Sequence, residues 1–178
     1  TSIGNRAFSE CCSLKNIIIP NNVVDITGNP FSGWYGELHN ESKNFIYENH
    51  VLFNKDKTTI IAYRNKETSY IIPNNVTNIE DCAFCGCEYL TNINIPNSVT
   101  KIGNGAFKSC HSLTCIDIPN KVTSIGIDVF YGCISPRNIN IPNSVSSIGN
   151  SAFNGCKSLR RINIPKSVTC IGNRAFSE

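Results

Sequence analysis

The sequence of 178 residues contains no methionine, no long apolar run and few charged side chains. A membrane-spanning helix needs roughly 20 consecutive apolar residues, and no segment of the chain approaches that length. The 16 basic and 13 acidic residues give a net charge of +3, which is too small to predict binding to nucleic acid or to an anionic membrane. No targeting signal is visible, and the missing methionine leads us to expect a piece of a longer protein.

Sequence motifs of common enzymes are missing as well. The chain contains no G-x-S-x-G, no H-E-x-x-H, no phosphate-binding loop and no G-x-G-x-x-G. Acidic residues are scattered, and the adjacent pair Glu80 and Asp81 diverges instead of converging on one site. We therefore predict that the protein is not an enzyme and that it uses no cofactor.

A repeat dominates the sequence instead. Its copies begin at Ile3, Ile26, Ile79, Ile102, Ile125, Ile148 and Ile171. Five of the six intervals are equal in length, whereas the interval from Ile26 to Ile79 is more than twice as long and therefore carries an insertion. The shared pattern is I-G-N-x-A-F-x-x-C-x-S-L-x-x-I-x-I-P-x-x-V-T-x, and a period near 23 with L-x-x-I-x-I is typical of a leucine-rich repeat.

Each copy predicts one coil of a solenoid. The x-I-x-I-P segment predicts a short strand with both isoleucines inward and the residue between them outward, and the proline ends the strand. The N-x-A-F-x-x-C segment predicts a short helical turn on the opposite wall, and we interpret the I-G glycine as a turn requirement. The predicted fold class is an α/β repeat solenoid, a right-handed leucine-rich-repeat coil with short parallel strands on its concave face and an inserted β-hairpin.

The pattern resembles the BspA-like leucine-rich repeat family over essentially the whole chain. One copy carries the resemblance through Ile102-Gly103, Ala106-Phe107, Cys110, Leu113, Ile116 and Ile118-Pro119. The resemblance implies a cell-surface or secreted protein that binds other proteins in adhesion or host interaction. It thereby implies a protein ligand, such as a host surface or matrix protein, with no nucleic acid and no membrane span.

We predict a single solenoid segment over residues 1–178, with an inserted hairpin over residues 35–69. Within the insertion, residues 51–63 place two apolar runs around a polar turn, which predicts the hairpin. Six aromatic residues lie in or beside it, namely Trp34, Tyr35, Phe45, Tyr47, Phe53 and Tyr63. They either pack the hairpin onto the solenoid or form an exposed contact site, and packing is the favoured interpretation.

The ten cysteines follow the repeat only in part. Five column cysteines stand three residues after the repeated phenylalanine and are predicted to be buried, reduced thiols, namely Cys11, Cys87, Cys110, Cys133 and Cys156. We expect the others, Cys12, Cys82, Cys85, Cys115 and Cys170, to be more exposed. Cys82-x-x-Cys85-x-Cys87 is a weak candidate for half a zinc site, because zinc takes four ligands and no second pair is visible.

The outward residues of the predicted strands form the candidate partner-binding strip. It comprises Asn92, Asn94, Asp117, Arg137, Asn138, Asn140, Arg160, Arg161 and Asn163. The asparagines either contact a ligand or bond to one another in an amide ladder that stabilises the sheet. The charged residues of the strip interrupt the asparagine pattern, and we rank them first as ligand contacts.

An alternative function follows from the two ends of the sequence. Residues 1–10 and 169–178 match at nine of ten positions, and neither end has a polar capping coil. Uncapped coils stack on other coils, so we expect concentration-dependent self-association through the ends. The alternative to a binding module is therefore a structural protein that assembles head to tail into a filament or wall.

Overall fold

The computed structural model describes residues 1–177. These residues form a β-solenoid of about seven turns. They contain 17 strands and no helix, so the α part of the predicted fold class is not confirmed.

Seven strands form one side of the solenoid, which we call the strand wall. They are β2 (Asn16–Ile19), β4 (Glu37–Asn40), β8 (Ser69–Ile71), β10 (Asn92–Asn94), β12 (Cys115–Asp117), β14 (Asn138–Asn140) and β16 (Arg161–Ile162). The hydrogen-bonded pairs are all parallel, in three sheets ordered β2-β4, β8-β10 and β12-β14-β16. Burial alternates as predicted, since Ile116 is buried between exposed Cys115 and Asp117.

A second column of strands begins the coils. It comprises β1 (Ser2–Ile3), β3 (Asp25–Ile26), β7 (Thr59–Tyr63), β9 (Asn78–Ile79), β11 (Lys101–Ile102), β13 (Ser124–Ile125), β15 (Ser147–Ile148) and β17 (Cys170–Ile171). The pairs within β1-β3, β7-β9-β11 and β13-β15-β17 are parallel, and within each of these three groups the repeat isoleucines are in register. One period of the sequence repeat is therefore one coil of the solenoid.

The N-x-A-F-x-x-C segments form successive turns on the opposite side, which we call the turn wall. Five of them contain two left-handed residues four positions apart, such as Gly105 (φ 60°) and Ser109 (φ 58°). Alternate amides bond to the next coil, since Gly105 and Phe107 donate to the Ile127 and Val129 carbonyls at 2.8 and 2.9 Å. The expected short helix is wrong because these amides serve the neighbouring coil and the left-handed residues interrupt helical geometry.

The core between the two walls is a stack of aromatic rings. Phe84, Phe107, Phe130 and Phe153 are all at most 1% exposed. Successive ring centres lie 5.1, 5.5 and 5.4 Å apart, and the planes differ by 19° or less. No coil buries its ring alone, so each coil depends on its neighbours for its core.

The inserted segment adds an antiparallel hairpin and one short coil. Strands β5 (Phe45–Glu48) and β6 (Val51–Asn54) are antiparallel, and β6 also pairs antiparallel with β7, as the sequence of residues 51–63 predicts. Strand β7 then pairs in parallel with β9, which places Ile60 in the isoleucine column beside Ile79, at less than a full repeat period along the chain. Tyr63 takes the place of the repeated phenylalanine, with its ring centre 5.0 Å from that of Phe84.

The short coil, residues 60–78, has no turn of its own on the turn wall. The turn of the Ile26 coil therefore bonds directly to the turn of the Ile79 coil. Asn29 donates its backbone amide to the Asp81 carbonyl at 2.9 Å and its side-chain amide to the Cys82 carbonyl at 3.0 Å. Two buried cores result, one on each side of this junction.

The I-G glycines are needed for close packing between coils, not for an unusual φ as the sequence suggested. Gly103, Gly126, Gly149 and Gly172 all lack a positive φ. A Cβ on any of them would lie 2.5–2.6 Å from an atom of the preceding coil. Only glycine leaves room for this approach.

Candidate binding surface

All nine residues of the predicted strip are exposed, at or beside the ends of β10, β12, β14 and β16 on the strand wall. Parallel register aligns them in two columns, because Asn138 pairs with Arg161 and Asp117 pairs with Asn140. Arg137 and Arg160 precede these strands, so the basic residues gather where the strip reaches β16. The surface therefore changes from amide-rich to basic along the solenoid.

The strip has no internal hydrogen bonding. Within residues 1–177, none of its nine side chains donates or accepts a hydrogen bond, and neither of the two ion pairs includes its charged members. The asparagines of the strip therefore form no amide ladder along the strand wall within residues 1–177, which was one of the two interpretations of their pattern. Their donors and acceptors face solvent and are available to a ligand.

Polar ladders occur elsewhere in the solenoid. The Asn104 Oδ1 accepts from the Ile127 amide at 2.8 Å, and the Thr114 hydroxyl donates to the Thr91 carbonyl at 3.1 Å. These bonds join residues 23 positions apart and tie each coil to its neighbour. Asparagine beside the I-G glycine thus bonds neighbouring coils to each other, whereas asparagine in the strip on the strand wall makes no such bond.

Most aromatic residues of the insertion pack inward. Trp34, Phe45, Phe53 and Tyr63 are between 2 and 7% exposed. Tyr35 is the exception at 43%. Its hydroxyl donates to the Gly86 carbonyl at 3.3 Å, and partial burial raises its pKa to about 12.

A cleft of about 1060 Å³ opens where the hairpin meets strands β2 and β4. Trp34, Tyr35, Tyr47, His39 and Arg64 are among the residues that line it. We call it the Arg64 cleft. The cleft is not evident from the sequence, because its residues come from four separated segments that only the folded insertion brings together.

Arg64 is 6% exposed, and no carboxylate of residues 1–177 lies within ion-pairing distance of it. Its guanidinium lies 4.4 Å from the Trp34 ring centre, and donates to the Tyr47 hydroxyl at 2.8 Å and the Gly36 carbonyl at 2.7 Å. Its buried Nε has no hydrogen-bond partner. Burial lowers the pKa of Arg64, as expected for a cation removed from water without a counter-ion.

The column cysteines are free thiols in the core. Cys87, Cys110, Cys133 and Cys156 are buried and Cys11 is half-buried. The Cys110 and Cys133 thiols each donate to a carbonyl of the preceding coil at 3.1 Å. Burial raises the pKa of both thiols.

The expectation of exposure for the remaining cysteines is wrong for Cys82. This residue is 7% exposed, because its left-handed backbone (φ 58°) turns it under the Asn5 side chain, whose amide lies 3.9 Å from its sulfur. A hydrogen bond from Cys82 and the Arg6 guanidinium, 3.8 Å away, lower the pKa of the half-buried Cys85.

The weak metal candidate is not assembled. The Cys87 thiol points to the Tyr63 carbonyl at 3.9 Å in the core. No group of three His, Cys, Asp or Glu side chains in residues 1–177 is close enough to hold a metal ion. Over the same residues, no helix has the length and apolarity to cross a bilayer.

Comparison with known proteins identifies the repeat. The model of the BspA type leucine rich repeat region matches residues 1–61 and 58–178, in six copies. The chain belongs to this family.

Solved structures of similar bacterial proteins support the assignment. A leucine rich cell surface protein from Faecalibacterium prausnitzii is 37% identical with a TM-score of 0.87, over 99% of this chain and 48% of that chain. The Treponema pallidum leucine rich repeat protein is 32% identical with a TM-score of 0.66, over 76% of this chain and 64% of that one. The pneumococcal vaccine antigen PcpA is 25% identical with a TM-score of 0.84, over 97% and 45%.

The BspA-type chain spans about half the length of the first of these structures. No curated protein sequence matches it. The comparisons establish family and fold and suggest a protein-interaction module. The partner and the site of contact are matters for proposal.

Proposed function

We propose that this BspA-type segment is a non-enzymatic protein-binding module that holds its partner on the strand wall, which we take to be the concave face. The observation that carries the proposal is the strip of nine exposed side chains, none of which forms a hydrogen bond or ion pair with any other part of residues 1–177. Solenoids of this kind use such extended surfaces to bind partners. Unbonded amide and charged groups in a fixed register offer a partner specific polar contacts with little reorganisation.

We further propose that the parent protein is a cell-surface or secreted adhesin or receptor-like protein. The family resemblance and the surface protein of Faecalibacterium prausnitzii support this proposal. The basic residues Arg137, Arg160 and Arg161 favour a partner with acidic groups facing that end of the strip.

The test uses the immobilised chain and an extract of host surface proteins. Asn140→Glu with Asn163→Glu places two negative charges within the strip, which would repel the acidic groups of the proposed partner. The matched control, Asn120→Glu with Asn143→Glu, makes the same changes at exposed asparagines in the turns that follow the strands. We expect the chain and the control to retain the same protein, identified by mass spectrometry, and the strip variant to lose it.

Equal retention by both variants would contradict binding through the strip. Light scattering over a range of concentrations distinguishes a binding module from the alternative, a structural protein that assembles head to tail. A chain that retains nothing and grows in mass with concentration would instead support the structural, self-associating function.

A further inference from the structure

The Arg64 cleft contains a buried positive charge without a negative partner. The two ion pairs in residues 1–177 join Lys57 to Glu48 and Lys108 to Asp128, and neither involves Arg64. Burying a cation without a counter-charge is unfavourable for folding, so Arg64 lowers the stability of the folded chain unless other contacts compensate. Cation–π contact with Trp34 and hydrogen bonds to neutral oxygens offset that penalty only in part.

The guanidinium retains unused hydrogen-bonding capacity. Its acceptors are the Tyr47 hydroxyl and the Trp34 and Gly36 carbonyls, at 2.8, 3.4 and 2.7 Å. A guanidinium has five N–H donors, so two are left, and the unpartnered Nε carries one of them. The planar fork of such donors matches a carboxylate.

The rim of the cleft adds both charge and apolar surface. Lys15 is exposed at the rim, and Glu37 is the one carboxylate among the residues that line the cleft. Besides Arg64, its other titratable side chains are Cys12, Tyr35, His39, Tyr47 and His50. Ile18 is 55% exposed on the same side, which offers an apolar contact beside the charged one.

The position of the cleft indicates how a ligand would enter it. The cleft opens beside β2 and β4 on the strand wall, and the separate sheet of β8 and β10 follows further along the solenoid. A polypeptide that lies along the wall crosses the cleft instead of ending there. A side chain is therefore better placed than a chain terminus to reach Arg64.

We propose that the Arg64 cleft binds an acidic side chain of a protein partner, with a neighbouring apolar side chain seated on Ile18. The carboxylate compensates the Arg64 charge and draws further attraction from Lys15. This inference adds a specific contact to the proposed function. It rests on that function because it takes the carboxylate to belong to a protein partner.

The one tryptophan of the chain, Trp34, makes the cleft directly measurable by fluorescence. The probe is the peptide acetyl-Ile-Glu-Phe-amide, and its uncharged twin is acetyl-Ile-Gln-Phe-amide. We expect saturable change of Trp34 fluorescence with the Glu peptide and affinity at least about tenfold weaker with the Gln peptide. A third peptide, acetyl-Ile-Gln-Phe with a free C-terminal carboxylate, tests the alternative source of the charge.

Two variants localise the binding. Lys15→Glu, at the exposed rim, should weaken the Glu peptide several-fold, whereas Lys121→Glu makes the same charge change at an exposed site away from the cleft and should leave it unchanged. Arg64→Gln should abolish the preference for Glu over Gln. Circular dichroism checks whether Arg64→Gln, a change at a buried position, still folds. If it does not, the comparison of Lys15→Glu with Lys121→Glu still tests the proposal.

Equal affinity for the Glu and Gln peptides would overturn the proposal. Tight binding of only the peptide with a free C-terminus would overturn the choice of a side chain. A protein partner retained through the strip, together with no peptide discrimination at Trp34, would refute the cleft and leave the proposed function standing. Preference for the Glu peptide without any retained protein would support the cleft as a carboxylate site and contradict the proposed function.

Discussion

The backbone of Gly149 lies so close to that of Gly126 in the preceding coil that a Cβ on Gly149 would be 2.6 Å from the Gly126 carbonyl carbon. The Gly149 amide donates to the Ile125 carbonyl at 2.7 Å in the same contact. This packing sets the distance between successive coils. A methyl group cannot fit without separating them, because the obstacle is backbone and not a movable side chain.

We therefore expect Gly149→Ala to lower the free energy of unfolding by about 1–3 kcal/mol. Gly4→Ala is the matched control, because it occupies the same repeat position with no atom within 4 Å of its Cβ. Its effect should stay within about 0.5 kcal/mol. Urea denaturation of both variants checks the prediction, and equal effects would show that coil spacing is not set by these glycines.

The ring stack predicts a large effect at its centre. Phe130 is fully buried between Phe107 and Phe153, so Phe130→Ala should cost about 3–5 kcal/mol. Phe176→Ala should cost much less, because that ring is 36% exposed. Amide hydrogen exchange is the suitable measurement, since it separates the coils that lose protection. Loss confined to the Ile125 coil would contradict the coupling of neighbouring coils.

Cys85 should react at lower pH than an ordinary thiol. The hydrogen bond from Cys82 is the largest cause of its lowered pKa, followed by hydrogen bonds from Ser32 and Arg6 that oppose burial. The pH midpoint of its alkylation should therefore rise in Cys82→Ala and stay low in Cys82→Ser, which keeps a donor. Mass spectrometry of peptides labelled with iodoacetamide measures the midpoint. An unchanged midpoint in both variants would rule out the thiol pair as the cause.

Stability should fall at alkaline pH. Burial raises the pKa of Cys156 to about 12, so the folded chain keeps a proton that the unfolded chain releases above about pH 8.5. The contribution is complete below that pH and is lost as the pH rises towards 12. Burial also raises the pKa of Tyr63 and Tyr70, which add to the same fall.

Cys156→Ala should make this fall shallower, by up to about 1.4 kcal/mol per pH unit. Val145→Ala is the control, because Val145 is fully buried but does not titrate. It should lower stability equally at every pH. Thermal or urea unfolding from about pH 8 to pH 12 gives the slopes, and identical slopes for the chain and Cys156→Ala would contradict the burial argument.

The repeat made much of the architecture predictable. Isoleucine and phenylalanine recur with a constant period because each coil must match the next, and the parallel registers follow that period. The turn wall was predicted incorrectly because Ala-Phe-Lys-Ser is compatible with a helix. Nothing in the sequence marks Ser109 as left-handed, since its conformation depends on the neighbouring coil.

The short coil and the Arg64 cleft could not be predicted from the sequence, because neither follows the repeat pattern. Tyr63 follows Ile60 by three positions, whereas Phe84 follows Ile79 by five, so the repeat pattern does not register at that coil. Arg64 is one basic residue among 16, and only its burial against Trp34 distinguishes it. Exposure of the strip was predictable because strand alternation determines it, whereas its use in binding remains a prediction.

The direct bond from Asn29 to Asp81 makes the solenoid one layer thicker on one side than on the other. Between these coils the strand side contains the additional strand β8, whereas on the turn side the Ile26 and Ile79 turns are bonded directly and only the end of β7, at Tyr63, lies beside the Ile79 turn. One layer is about 4.8 Å, which acts as a wedge in an otherwise uniform stack. The array of coils thus gains a layer on the strand side alone, at the place where the insertion interrupts the repeat.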